Sequence, residues 1–285
     1  MKIMWAFDPF QTNKEQQQFA ARILRSLANS KDELTAIYVA SNAEAELATA
    51  FSVPASKRYS TYPKKIMTAA LKKLNLKKIK SEVLSEKSLS MTSITRQITD
   101  YTKKKKIDLL LIATNNKKFL PRLIFGSFAE SIVHLSNCDL FIFHQRTKFN
   151  DKAPARILYA DDLTPKGTLG LERAIGYARK WNAELSIVHI PMPEAGMTLP
   201  EFKETTQKKI AKLEQYMAKQ KVHYQIYLEY DVKPMSETLL EMADKTGADL
   251  IAVAAQTKKL EAFLGGSITR QILRASELPT LVLKV

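Results

Sequence analysis

Residues 2–8 read KIMWAFD and residues 156–162 read RILYADD, and this pair decides the fold. Each is a basic residue, a short apolar run and a closing Asp, the form of a buried strand whose C-terminal end presents a polar group. An amphipathic helical pattern follows in both places. Thr12 and Glu15 have capping-box spacing ahead of the first, whereas Thr164 and Pro165 give an N-cap and a first-turn proline ahead of the second. Adjacent residues of a strand face opposite ways, so Asp161 and Asp162 are not expected to act as a pair.

The match continues outward. Second strands are read at residues 33–39 (ELTAIYV) and 184–190 (ELSIVHI), and later strands at 107–113 (IDLLLIA) and 248–254 (ADLIAVA). The triplets FGS at 125–127 and GGS at 265–267 each precede a helical pattern and a last strand, at 139–143 and 280–285. Offsets between matched landmarks shrink steadily along the chain, as expected of a repeat whose first copy is longer in its middle. SITRQI occurs at 93–98 and 267–272, before the late strand in one copy and after it in the other, so it is a coincidence of two helical segments. Strands alternating with helices imply parallel βαβ units in open sheets. Two such units fill the 285 residues, joined through the polar stretch 146–154, with domains expected at 1–148 and 149–285.

Composition is that of a globular chain: 45% hydrophobic, 26% charged, with no apolar run approaching a membrane span. Asp8 interrupts the apolar start too early for a secretory leader, and a single cysteine, Cys138, suits a reducing compartment, so a cytoplasmic location is expected. The net charge of +15 is lopsided: residues 1–150 hold 25 Lys and Arg against 12 Asp and Glu, and residues 151–285 hold 19 against 17. Such asymmetry marks an anionic partner or a solvated helix face. Lysines at 64–65, 72–73, 77–78 and 103–106 have helical spacing and no interleaved aromatics, so nucleic-acid binding through the first half ranks below the solvated-face reading.

Ligands of open α/β sheets bind beyond the carboxyl ends of the strands. Asp8 and Asp162 lie there, and so do the basic loops that lead into the two Gly-Ser pairs. Backbone N–H groups at such a helix start suit an anion, although Gly-Ser is equally an ordinary N-cap. The four histidines show no metal spacing, and no GxSxG, P-loop or GxGxxG frame is present, so no enzyme and no metal site is expected. Cys138, Trp5, Trp181 and His189 are read as packing residues.

Over nearly its whole length the chain resembles a tandem universal stress protein, on the strength of the strand-one Asp, DLLLIA and DLIAVA, and the Gly-Ser pairs. The resemblance implies α/β architecture: two Rossmann-like open five-stranded parallel sheets of the adenine nucleotide alpha hydrolase type, paired through their last strands as an internal pseudo-dimer. A homodimer and a further protein partner are compatible with it. Nucleotide-binding members carry G-x2-G-x9-G-[ST]. The matching positions are Ala113, Asn116, Gly126 and Ser127 in the first half, with Asp8 and Val39 as further contacts. In the second half they are Ala254, Thr257, Gly266 and Ser267, with Asp162 and Ile190, in a loop one residue shorter. Both loops lack the glycines that admit phosphates, and the intact spacing makes the first half the stronger candidate. The resemblance therefore implies a non-enzymatic stress-response protein acting through protein contacts, with weak or absent ATP binding and no required cofactor. The alternatives are a regulator binding ATP or AMP with Mg, hydrolysing at most slowly, and the nucleic-acid binder.

Overall fold

Apolar runs too short and too continuous for helices become buried strands. In the first half these are β1 (Lys2–Ala6), β2 (Glu33–Ser41), β3 (Lys80–Glu86), β4 (Leu109–Thr114) and β5 (Asp139–His144). The helices between them are α1 (Lys14–Leu27), α2 (Arg58–Lys73), α3 (Met91–Lys105) and α4 (Ser127–Leu135). The second half holds β6 (Arg156–Ala160), α5 (Pro165–Trp181), β7 (Glu184–His189), α6 (Leu199–Met217) and β8 (Tyr224–Leu228). It continues with α7 (Met235–Thr246), β9 (Leu250–Ala255), α8 (Ile268–Ala275) and β10 (Thr280–Lys284). The computed structural model describes residues 1–10, 13–41, 58–76, 78–86, 90–114, 127–144, 146–148, 152–193, 195–230, 233–255 and 268–285.

These residues divide into two units, one ending at Asp151 and the other beginning at Lys152. In the first unit the strands lie in the order β3-β2-β1-β4-β5, every pair parallel. In the second the order is β8-β7-β6-β9-β10, again parallel throughout. The order reverses beside the first strand of each unit, between β1 and β4 and between β6 and β9, which is the topological switch point of a doubly wound sheet. Ile3, Met4, Leu109, Leu110 and Leu140 form the centre of one core, and Ile157, Leu158, Leu185, Ile187 and Leu250 that of the other.

The repeat is visible in single hydrogen bonds. Asp108 Oδ2 accepts from the backbone N of Lys2 at 2.6 Å, and Asp249 Oδ2 accepts from that of Arg156 at 3.0 Å. The Asp of each DL run thus holds the start of the neighbouring first strand. Ser136 and Ser276 repeat a turn as well, their hydroxyls accepting from the backbone N of Cys138 and Leu278. The SITRQI segments behave as read, residues 93–98 lying inside α3 ahead of β4 and residues 268–272 inside α8 after β9. Trp5, Trp181, His189 and Cys138 are buried. One local reading is corrected: α1 is capped by Asn13, whose side chain accepts from Gln16 N, and not from Thr12, which lies outside the described residues. No helix among the described residues is long and apolar enough to cross a membrane.

Candidate functional site

The switch point of the second half opens into a cavity of about 130 Å³. Its walls are Tyr159, Asp161 and Asp162 at the end of β6, Val188 and Ile190 from β7 and the residues after it, and Val253 and Ala254 from β9. Three helices present their first turns to it, through Gly167 of α5, Met235 of α7, and Ile268 and Thr269 of α8. Five of these residues bring only aliphatic surface, so the polar content is concentrated where β6 turns into α5.

That turn is closely fitted. Thr164 caps α5, its Oγ accepting from Gly167 N at 3.1 Å. Asp162 Oδ1 accepts from Thr164 N at 3.0 Å and from Thr164 Oγ at 2.7 Å, and Asp161 Oδ1 accepts from Leu163 N at 2.9 Å. Leu163 between them has φ of 54°, a left-handed conformation that costs a residue with a bulky side chain about 1–3 kcal/mol. Tyr159 is fully buried and its Oη donates to Gly167 O at 2.7 Å. A Cβ at Gly167 would fall onto the carboxylate oxygens of both Asp161 and Asp162, and one at Gly170 would meet Tyr159 Oη and Ala254 Cβ. A side chain at Gly167 would have to displace the two carboxylates, and one at Gly170 would press on the buried Tyr159 and on Ala254. The expectation that Asp161 and Asp162 point apart is corrected here: both lie beyond the strand end at Ala160, where strand alternation no longer applies, and their carboxylates converge on Gly167.

Asp161 is buried, and burial chiefly raises its pKa to about 6; the Leu163 N–H opposes the rise and the Asp162 charge adds to it. Burial, then the Asp161 and Asp162 charges, push the Tyr159 phenol upward, so it stays a neutral donor. His189 lies beneath them, with Nδ1 2.8 Å from the backbone O of Asp161. A carbonyl only accepts, so the proton sits on Nδ1. Burial lowers the pKa of this ring, and neutral His189 holds the β6 turn in place.

The first half builds the same backbone with different contents. Phe7 N donates to Ile37 O at 2.8 Å where Asp161 N donates to Val188 O at 2.9 Å, and the Asn13 cap stands over Gln16 as Thr164 stands over Gly167. Trp5, Phe7, Gln16 and Phe19 thus take the places of Tyr159, Asp161, Gly167 and Gly170, and all four are buried. Trp5 and Phe7 meet edge to face at 4.5 Å, while Phe19 packs on Phe143 at 5.2 Å.

Of the residues singled out in the sequence, Asp162, Ile190 and Ala254 come together in the cavity. Asp8 is exposed past β1, its Oδ1 accepting from Phe10 N at 2.9 Å, the same short turn that Asp162 makes. Val39 lies in β2, Ala113 in β4, and Ser127 begins α4. Asn116, Gly126, Thr257, Gly266 and Ser267 lie outside the described residues. Sequence reasoning missed Tyr159, Gly167 and Gly170. The signal was present, as two glycines three apart inside a helix opposite an Asp-Asp strand end, and helical glycine asks for a packing reason. Among the described residues no group of three metal-ligating side chains occurs.

Two parallel five-stranded units, each with its own switch point, define a tandem, doubly wound α/β class of protein. Residues 1–144 and again 155–284 match the universal stress protein family, and the chain belongs to that family. Its structure is similar to that of a universal stress protein from Archaeoglobus fulgidus DSM 4304, at 16% identity and TM-score 0.69, covering 99% of this chain and 98% of that one. A Pseudomonas aeruginosa UCBPP-PA14 protein bearing the same family name matches at 14% identity and TM-score 0.67, over 99% and 92% of the two chains. A universal stress protein from Archaeoglobus fulgidus in complex with dAMP matches at 17% identity and TM-score 0.37, over 46% of this chain and 98% of that one. No curated protein matches the chain in sequence.

Proposed function

We propose that this chain is a non-enzymatic stress-response protein that acts through contacts with other proteins and is set by a small ligand in its second half. The observation that carries the reading is the four-residue exchange at the switch point. Where the second half has Tyr159, Asp161 and two glycines around a cavity, the first half has Trp5, Phe7, Gln16 and Phe19, all buried. Among the described residues larger side chains occupy these four places in the first half, and the second half, through Asp162, Ile190 and Ala254, is read as the ligand site. This reverses the order of preference that loop spacing alone suggested. Nor does the second site favour a triphosphate, because Asp161 and Asp162 set two carboxylates against it and Thr257 stands where nucleotide binders carry glycine. Phosphoryl transfer needs cations on the phosphates, and among the described lining residues there is no Lys or Arg.

Protein purified without added nucleotide and then denatured should release no stoichiometric ATP or ADP by chromatography and mass spectrometry. Titration with Mg-ATP should give no heat of binding. Retained ATP at one equivalent per chain would sink the proposal in favour of a nucleotide-gated regulator, with Mg as its counter-ion.

A further inference from the structure

A largely buried acid with one oxygen turned to open space distinguishes the second-half cavity. Asp161 is 5% exposed yet lines the cavity, and its Oδ1 is held by Leu163 N. Among the described residues no donor reaches its Oδ2 and no Lys or Arg pairs with it. The neighbouring groups are already committed: Tyr159 Oη to Gly167 O, His189 Nδ1 to the Asp161 carbonyl, and Asp162 Oδ1 to Thr164. A largely desolvated carboxylate that faces a cavity favours a cationic occupant over a neutral one. The rest of the lining is mostly aliphatic, with the Met235 thioether and the Thr269 hydroxyl beside it. The volume of about 130 Å³ resembles the roughly 150 Å³ apolar cavity that accepts benzene, a six-carbon body.

Resting on the reading of this cavity as the ligand site, the geometry points to a small primary amine with a compact apolar body: its ammonium sits at Asp161 and Asp162, and its carbons lie against Val188, Ile190, Leu239 and Val253. The carboxylates that attract the ammonium repel a phosphate, so the same pair sets selectivity in both directions.

The test uses the isotopically labelled full chain, followed by NMR. The probes are isoamylamine, its neutral isostere isoamyl alcohol, and AMP. The amine binds about tenfold or more tightly than the alcohol, moving the backbone signals of Asp161, Val188 and Thr269. Asp161→Asn, which keeps the bond from Leu163, weakens the amine about tenfold and leaves the alcohol unchanged. Asp162→Asn, at an exposed side chain, weakens the amine as well and guards against a folding defect in the first variant. Amine affinity rises between pH 5 and 7 in the parent and is flat in Asp161→Asn. The other titratable groups facing Asp161 are Asp162 on its own turn, Tyr159 from β6, and His189 of β7 with Lys209 of α6 behind it. The cavity residues of α7, β9 and α8 are uncharged. Equal binding of amine and alcohol, tighter binding of AMP, or indifference to both substitutions overturns the ligand class while leaving the cavity as a site. Silence of all three probes overturns the site together with the ligand class.

Discussion

Asp161 stands one residue past the end of β6, at the position Phe7 holds after β1, and the exchange of a phenyl ring for a carboxyl sets the chemistry of the second half. Its native pKa, raised from 3.8 to about 6 chiefly by burial, has a consequence for folding. Between those values the unfolded chain ionises Asp161 and the native one keeps its proton. Stability from this residue therefore falls as pH rises from about 4 to about 6 and is level above that, by roughly 2–3 kcal/mol in total. Urea titrations of Asp161→Asn and of the parent chain should coincide near pH 4, and the variant should be the more stable by about that amount at pH 7. A constant difference across the range would show that Asp161 is ionised in the native state throughout. The strand-one acids Asp8 and Asp162 were legible in the sequence as strand-end polar groups, and both do hold the turn that follows. Asp161 was not. Alternation along a strand governs side-chain direction only while the strand lasts, and β6 stops at Ala160.

The helices after the first strands carry the same difference at the next scale. α1 and α5 share an N-cap and a place in the order of elements, but α1 fills its inner face with Gln16 and Phe19 where α5 keeps Gly167 and Gly170. Opposite substitutions should therefore both destabilise. Phe19→Ala leaves a hole beside Phe141 and Phe143 and should cost about 3–5 kcal/mol. Gly170→Ala gains helix propensity yet drives a methyl group onto Tyr159 and Ala254, for a net loss of about 1–3 kcal/mol. Equilibrium unfolding in urea measures both, and a Gly170→Ala variant as stable as the parent would show that α5 can shift outward at no cost. Eight of the ten described strands were readable because they are continuous apolar runs bounded by polar turns, whereas the polar β3 (KSEVLSE) and the half-exposed β8 (YQIYL) were not located. Bounds moved by a residue or two, as when residues 107–113 were read as strand and β4 proved to be Leu109–Thr114. The start of 107–113 was misjudged because Asp108 ends a turn by bonding to Lys2, a contact made far along the chain.

At the scale of the whole chain the charge is unevenly divided. Lys72, Lys73, Lys103, Lys104, Lys105 and Lys106 are exposed on and just beyond the last turns of α2 and α3, where cations also complement the helix dipole. The excess of 25 basic over 12 acidic residues in 1–150 is thus accounted for in part by helix ends. In a gel-shift assay the chain should retard duplex RNA or DNA at low salt and release it by about 150 mM, since binding by phosphate neutralisation alone falls steeply with salt. A complex that persists there would give the first half a nucleic-acid role. The two-copy architecture was legible because each landmark recurs in order, whereas the asymmetry between copies was not. It resides in four side chains that meet only after strand end and helix start are brought together.

Cys138 is the chain's single cysteine and lies buried immediately before the last strand of the first half, its Sγ 3.3 Å from Ser136 Oγ. The native protein accordingly offers thiol reagents no accessible target. Any cysteine placed on its surface, for instance at exposed Met192 after β7, becomes the sole point of attachment for a dye, a spin label or a crosslinker. An unmutated background of this kind lets the capture of binding partners be mapped one address at a time.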